Sequence, residues 1–227
     1  ELNSVLHSLP NSPDQEIPYG KTEDENIEIK TWGKKPKFDF SPQEHFGVKA
    51  ASGLDFKTAS KISGSRFTIL SRGVATLHRA ISQFMVDIHI REHDLEEIST
   101  PVLVKEQAMF GTGQLPKFAN DSYKTENGWW LIPTAEVSLT NLRADKISAY
   151  SDLPYRVCAV TQCFRSEAGS AGKDTTGMLR QHQFEKVEMV TFSPPEKSAE
   201  ELERMVACAE NILKKLELPY RKILLCT

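Results

Sequence analysis

Four cysteines in 227 residues are too few for a disulfide scaffold, and none stands at the CxxC spacing of a zinc ribbon or a redox pair. A reducing, cytoplasmic compartment is therefore expected. No run approaches the roughly 18 consecutive apolar residues of a membrane-crossing helix, so no membrane partner is expected either. The first residues, Glu1-Leu2-Asn3, lack a methionine, a basic stretch and an apolar stretch; they carry no secretory signal and read as a cut inside a longer chain. Charge of one sign is also missing. With 28 Lys+Arg against 31 Asp+Glu the formal net charge is -3, which excludes the global basic field of a protein that coats nucleic acid. Any nucleic acid must be met locally. There is no internal repeat and no low-complexity tract, and 12 Gly and 12 Pro among 39% hydrophobic residues suit one globular domain, or at most two small ones.

What is present is a mixture of helix and strand signals without regular βαβ alternation. Residues 1–30, broken by Pro10, Pro13 and Pro18, read as an extended segment, and residues 1–40 as a lead-in to a core over 41–227. Ser41-Pro42-Gln43-Glu44 offers a helix start with proline in the first position, and Gly64 to Leu70 a turn feeding a strand. Val74, Leu77, Ile81, Phe84, Met85 and Ile88 keep the period of a long amphipathic helix. Leu95, Ile98, Val102 and Val104 follow as a strand-like run interrupted by Pro101. This helix and strand fit a core or a partner-seeking face equally well. Residues 111–128 read as a loop, Trp129 to Ile132 as a strand, and Tyr155–Cys163 and Phe184–Phe192 as an antiparallel pair. Ser198-x-x-Glu201 is a capping box ahead of a helical run from Leu202 to Leu216, which Pro219 ends. The fold class is α+β, with a mainly antiparallel sheet flanked by helices.

The densest polar cluster is Phe164-Arg165-Ser166-Glu167-Ala168-Gly169, at the end of one predicted strand. Strand side chains alternate, so Arg165 and Glu167 are expected on the same face, a fork of donors beside a carboxylate acceptor. On the returning strand Phe184, Lys186 and Glu188 share one face, leaving Val187 and Met189 on the other as core. Such a gathering of Arg, Glu, Phe and Lys is costly to bury without a ligand, yet it is also what a solvated face of cross-strand ion pairs contains. The residues alone leave both open.

FRSEAGSAGKDTTGMLRQHQFEKVE, from Phe164 to Glu188, resembles motif 2 of the class II aminoacyl-tRNA synthetases in the form found in seryl-tRNA synthetases. GTGQLPKF (Gly111 to Phe118), LIPTAEV (Leu131 to Val137), ISGSRF (Ile62 to Phe67), LPYR (Leu218 to Arg221) and NSPDQEIPYG in the lead-in resemble segments of the same family in the same order. Val74 through Pro101 resembles motif 1, which implies a homodimer interface. The resemblance implies the class II catalytic fold and an enzyme that activates L-serine with ATP, with Mg²⁺ as cofactor, and loads it on the 3′ end of tRNA(Ser), with tRNA(Sec) as a further acceptor. Such chemistry needs no protein nucleophile, only positioning and neutralised phosphate charge. The resemblance implies roles residue by residue: Arg165 clamps the α-phosphate, Ser166 and Glu167 hold ATP with Glu167 accepting from the adenine amino group, Phe184 stacks on adenine, Arg180 reaches the outer phosphates, and Gln181 meets ATP through its main chain. Thr134, Ala135 and Glu136, with Arg165, surround the serine, and Glu188 accepts from its hydroxyl. Lys173 and Asp174 would meet the tRNA acceptor end.

His182 is expected as a hydrogen-bonding support, not a general base, and Cys158 and Cys163 as reduced, half-buried thiols that bind no metal. The family's coiled-coil arm has no counterpart before Pro10, and no motif 3, with its γ-phosphate arginine, is found before Thr227. The expectation is therefore a truncated catalytic core holding motifs 1 and 2, inactive or crippled alone, with no metal site of its own. Two other readings are a paralogue that loads a carrier protein and a non-enzymatic dimerisation module; retention of Arg165, Glu167, Arg180 and Phe184 speaks against the module.

Overall fold

The computed structural model describes residues 2–7, 9–168 and 176–227; Lys173 and Asp174 lie outside them. In chain order the helices are α1 (Leu2–Leu6), α2 (Phe56–Ser63), α3 (Arg72–Arg91), α4 (Glu106–Gly111), α5 (Glu136–Thr140) and α6 (Ser198–Lys215). The strands are β1 (Ile27–Trp32), β2 (Leu54–Asp55), β3 (Ile69–Leu70), β4 (Glu96–Glu97), β5 (Leu103–Val104), β6 (Trp130–Leu131), β7 (Tyr155–Phe164), β8 (Gln183–Phe192) and β9 (Tyr220–Leu224). Pairing is antiparallel except for the short β4, which runs parallel to β7. The fold is α+β, as the mixed signals predicted.

Two compact units are present, Glu1–Ser41 with Arg204–Thr227, and Pro42–Glu203. In the smaller, β1 pairs with β9 through a register shift between Glu28 and Lys30, and Trp32 stacks on Tyr220 with ring centroids 5.6 Å apart. Lys30 Nζ lies 2.6 Å from Glu210 and, as the leading cause, holds that carboxyl down at about 2. This pairing joins residues nearly the whole chain apart, which local patterns cannot show.

The larger unit is organised by β7 and β8, two ten-residue strands in continuous register from Tyr155↔Phe192 to Phe164↔Gln183. Paired residues share a face, so period-two alternation builds two unlike surfaces. On one, Val157 and Ala159 are fully buried with Ala135 and Leu139 and packed by Val190 and Phe192; farther along the same face come Thr161, Cys163, Phe184, Lys186 and Glu188. Burying this apolar half anchors the polar half beside it. A second core of Met109, Ile132, Val137 and Trp130 sits under α4, α5 and the β5–β6 pair. The opposite face of the hairpin meets α3, where Ser82 Oγ donates to Glu185 and His78 Nδ1 lies 3.9 Å from the same carboxylate.

Several local expectations are corrected. No helix starts at Ser41-Pro42, because no apolar period follows; helix α2 forms instead after Asp55, whose carboxylate accepts from the Thr58 amide at 2.9 Å. Helix α4 forms between the strand-like run and the loop over 111–128, where the sequence signals suggest no helix. The run around Pro101 divides into β4 and β5 in different sheets, since proline cannot donate to a continuous ladder. Ser198-x-x-Glu201 is not a capping box: a 3₁₀ turn over Pro195–Lys197 already winds the chain, and Glu201 turns to Arg156, accepting from Nε at 2.9 Å and Nη2 at 2.5 Å. Val187 and Met189 are half-buried, not core, because α3 covers only part of their face. Cys158 and Cys163 are fully buried. Helix α3 is both core and surface, with Val86 buried and Leu77 58% exposed.

Candidate active site

The site forms where β7 ends. The Phe164 amide donates to the Ile132 carbonyl at 2.9 Å, then Arg165 and His182 lock the hairpin mouth: the Arg165 amide donates to the His182 carbonyl at 2.9 Å, and His182 Nδ1 lies 3.0 Å from the Arg165 carbonyl. Because the strand stops at Phe164, alternation does not extend to Glu167, which takes a left-handed φ of 53°. Arg165 and Glu167 are still brought to one place, by a bend and not by strand parity. Ser166 makes that bend, its amide bonded to the Asp121 carbonyl at 2.9 Å and its hydroxyl to the Asn120 carbonyl at 2.6 Å. Ala168 adds a bond to Asp121 Oδ1 at 3.0 Å.

Arg165 donates through Nε to the Pro133 carbonyl at 3.2 Å, and its guanidinium lies 5.1 Å from the centre of the Phe184 ring. Arg180 Nη1 stands 3.4 Å from Glu167 Oε2. Nearby, Pro133 halts the β6 strand and Thr134 opens α5, its hydroxyl accepting from the Glu136 amide at 3.2 Å. The same oxygen accepts from Lys186 Nζ at 2.9 Å and donates to Glu188 Oε2 at 2.7 Å, and Lys186 is ion-paired with Glu188. Ala135 does not join this group: its methyl is fully buried in the apolar cluster with Leu139 and Val157.

Two cavities open here. One, of about 470 Å³, is lined by Gln114, Phe118, Asp121, Ser122, Pro133, Thr134, Glu136 and Lys186. The other, of about 630 Å³, is lined by Phe67, Thr68, Leu70, His78, Gln162, Met178, Leu179, Gln181, Gln183, Phe184 and Glu185. Arg165, Glu167 and Arg180 line both. A cation pair and a carboxylate thus form the wall between a small polar cavity and a larger one floored by an aromatic ring.

A family model, the tRNA synthetase class II core domain (G, H, P, S and T), matches residues 118–227. A serine--tRNA ligase of Jannaschia sp. (strain CCS1) is 56% identical over 227 residues, all of this chain and 53% of that protein. Over its whole length the chain is similar to seryl-tRNA synthetases. It spans about half the length of the curated relatives it matches. The crystal structure of seryl-tRNA synthetase from Pyrococcus horikoshii complexed with ATP superposes with a TM-score of 0.94 at 35% identity, over 99% of this chain and 55% of that one. The cytoplasmic serine-tRNA ligase of Naegleria fowleri in complex with AMP gives 0.90 at 27% identity, over 97% and 53%.

In this chain the structure brings Arg165, Glu167, Arg180, Gln181 and Phe184 around one cavity and Thr134 and Glu136 around the other, with Glu188 behind Thr134. Ser166 and Ala135 serve the frame instead, one bracing the bend and one filling the core. Strand alternation already groups Lys186 with Phe184 and Glu188, but the resemblance assigns it no part in the site. Asp121 had no signal of its own. His182 is wedged between Phe67 and Tyr123, with ring centroids 5.2 and 6.1 Å away, and supports the mouth. Burial, with Glu97 nearby, pushes the Cys158 thiol up to about 11, and burial raises Cys163 too, so neither is a poised nucleophile. Among the described residues no cluster of three His, Cys, Asp or Glu side chains could hold a metal ion.

Proposed function

We propose that this site activates L-serine with ATP and passes the seryl group to the 3′ end of tRNA(Ser), with tRNA(Sec) as a further acceptor. The observation that carries the reading is the shared wall of Arg165, Glu167 and Arg180 between two cavities of different chemistry. An amino acid in the small cavity and a nucleotide in the large one would meet at Arg165.

In the first step a serine carboxylate oxygen attacks the α-phosphorus and the bond to the β-phosphate oxygen breaks, giving seryl-adenylate and pyrophosphate. Arg165, permanently charged and already oriented by Pro133 and Phe184, neutralises charge on the α-phosphate without reorganising. Phe184 presents its ring to adenine, Glu167 accepts from the adenine amino group, and Arg180 faces the outer phosphates. In the second step the terminal ribose hydroxyl attacks the seryl carbonyl carbon, and AMP leaves.

Serine is selected by polarity. Glu136 meets the ammonium, and Glu188, held by Thr134 and charge-balanced by Lys186, accepts from the substrate hydroxyl. An analogue without that hydroxyl forgoes a hydrogen bond to a carboxylate, a loss of about 10- to 100-fold in kcat/KM. The exposed apolar residues of α3, Leu77 among them, fit a homodimer through the motif 1 region, and a cytoplasmic location fits reduced cysteines. Serine-dependent ATP–pyrophosphate exchange by the intact protein tests the reading. Exchange with serine but not alanine or threonine is expected, together with acylation of tRNA(Ser). Exchange driven by another amino acid, or acylation of a carrier protein in place of tRNA, would overturn it.

A further inference from the structure

His45 lies in an irregular stretch far from the motifs, half-buried, with Phe46 edge-on to its ring at 5.2 Å. Its Nε2 accepts from the Met178 amide at 2.8 Å. The neighbouring Gly177 has φ of +87°, and a Cβ there would stand 2.4 Å from His45 Cε1 and 2.5 Å from Nε2. A hydrogen bond and a close approach that only glycine permits therefore seat the imidazole against one turn of backbone. That turn leads into Leu179, Arg180 and Gln181, which line the larger cavity. Farther along, the His182 amide donates to the Arg66 carbonyl at 3.1 Å. Between these two anchors lies Arg180, whose long side chain reaches the wall shared by both cavities only if its backbone is fixed.

We propose that His45 is a positioning residue for the nucleotide side of the site: through the Met178 amide it fixes the strand of chain that delivers Arg180 to the phosphate wall. It touches neither cavity itself. The inference rests on the ATP reading above, and its consequence is selective, because the serine cavity is built from Thr134, Glu136 and Lys186 on elements that His45 does not hold.

The test compares wild type, His45→Ala and His45→Gln in the intact protein by ATP–pyrophosphate exchange, with melting temperature followed in parallel. His45→Ala should raise the KM for ATP about three- to tenfold, the worth of one net hydrogen bond, while the KM for serine stays unchanged. His45→Gln, whose amide oxygen reaches the same place, should recover most of the loss. Unchanged ATP KM in His45→Ala, or a parallel rise in both KM values with a fall in melting temperature, would overturn the proposal. If His45→Ala does not fold, Gly177→Ala replaces it, since the added methyl must displace the imidazole; the same ATP-selective defect is expected, and its absence counts against the idea. Hydrogen exchange at the Met178 amide, measured without ligand, separates the two levels of inference. Faster exchange in His45→Ala, in a wild type that fails to use ATP, keeps the brace and removes the nucleotide reading; unaltered exchange removes the brace.

Discussion

The two ends of β7 carry one arginine each, and the fold uses them in opposite ways. At the start, Arg156 spends Nε and Nη2 on the buried carboxylate of Glu201 at 2.9 and 2.5 Å, with Asp94 3.9 Å from Nη1. Around it Tyr155 stacks on Phe192, and Arg143 covers the Tyr155 ring at 4.5 Å. This end is closed by its own partners. Just past the other end, Arg165 uses Nε on a carbonyl and its flat face on Phe184, and among the described residues it forms no ion pair. Its fork is directed to cavities, not to a carboxylate of the chain. The contrast teaches that an arginine satisfied by its own fold holds structure, whereas one oriented without charge compensation is arranged for an anion from outside.

Substitutions should separate the two ends. The largest effect is expected for Arg165→Ala, about a 100- to 1000-fold loss of kcat in pyrophosphate exchange with little change in melting temperature. If that variant mainly unfolds the protein, the comparison breaks. Arg156→Ala should do the reverse, costing about 3 kcal/mol of stability in denaturant unfolding by stranding the Glu201 carboxylate, while leaving the KM values of the folded fraction near wild type. Thr134→Ala removes a hydroxyl that Lys186 and Glu188 share; the serine KM should rise about tenfold and the ATP KM stay flat, and a shift in ATP KM would blur the division between the cavities. A further effect is set by pH near the closed end. Burial, and then the proximity of His93, lower His89 to about 4 from 6.5. Between these values the unfolded chain binds the proton and the folded one does not, so stability falls as pH drops from about 6.5 to about 4, by no more than about 1.4 kcal/mol per pH unit. Replacement of His89 by Leu should flatten that slope in thermal unfolding, and an unchanged slope would assign it elsewhere.

Legibility in the sequence followed the range of the interactions. Helices α3 and α6 and the β7–β8 pair were readable because each is long and periodic, and burial of one face enforces the period. Misreadings arose where a short signal met a distant competitor. Ser198-x-x-Glu201 has the letters of a capping box, but Ser198 is already helical, with φ of −61° and ψ of −38°, and Glu201 accepts from the distant Arg156. Ser41-Pro42 looks like a helix start, yet the residue that matters there is His45, bound 133 positions away. Strand parity placed Lys186 and Glu188 on one face correctly and failed for Glu167, because the backbone turns left-handed after Phe164. Cys158 and Cys163 could not be ranked as fully buried, since burial depends on what covers a strand.

The sequence alone determined the chemistry on offer: a fixed-charge arginine, carboxylates, a phenylalanine and a threonine, in an order whose resemblance already implied their tasks. These are properties of side chains and local spacing, which survive in an unfolded chain. Only the tertiary structure decided which of those groups are spent on the frame. Ser166 and Ala135 are used by the bend and the core, Arg165 is left facing two cavities, and His45 is drawn in to hold Met178. Hydrogen bonds and burial across long stretches of chain are satisfied by whichever group the fold brings near, and that assignment is written in three dimensions.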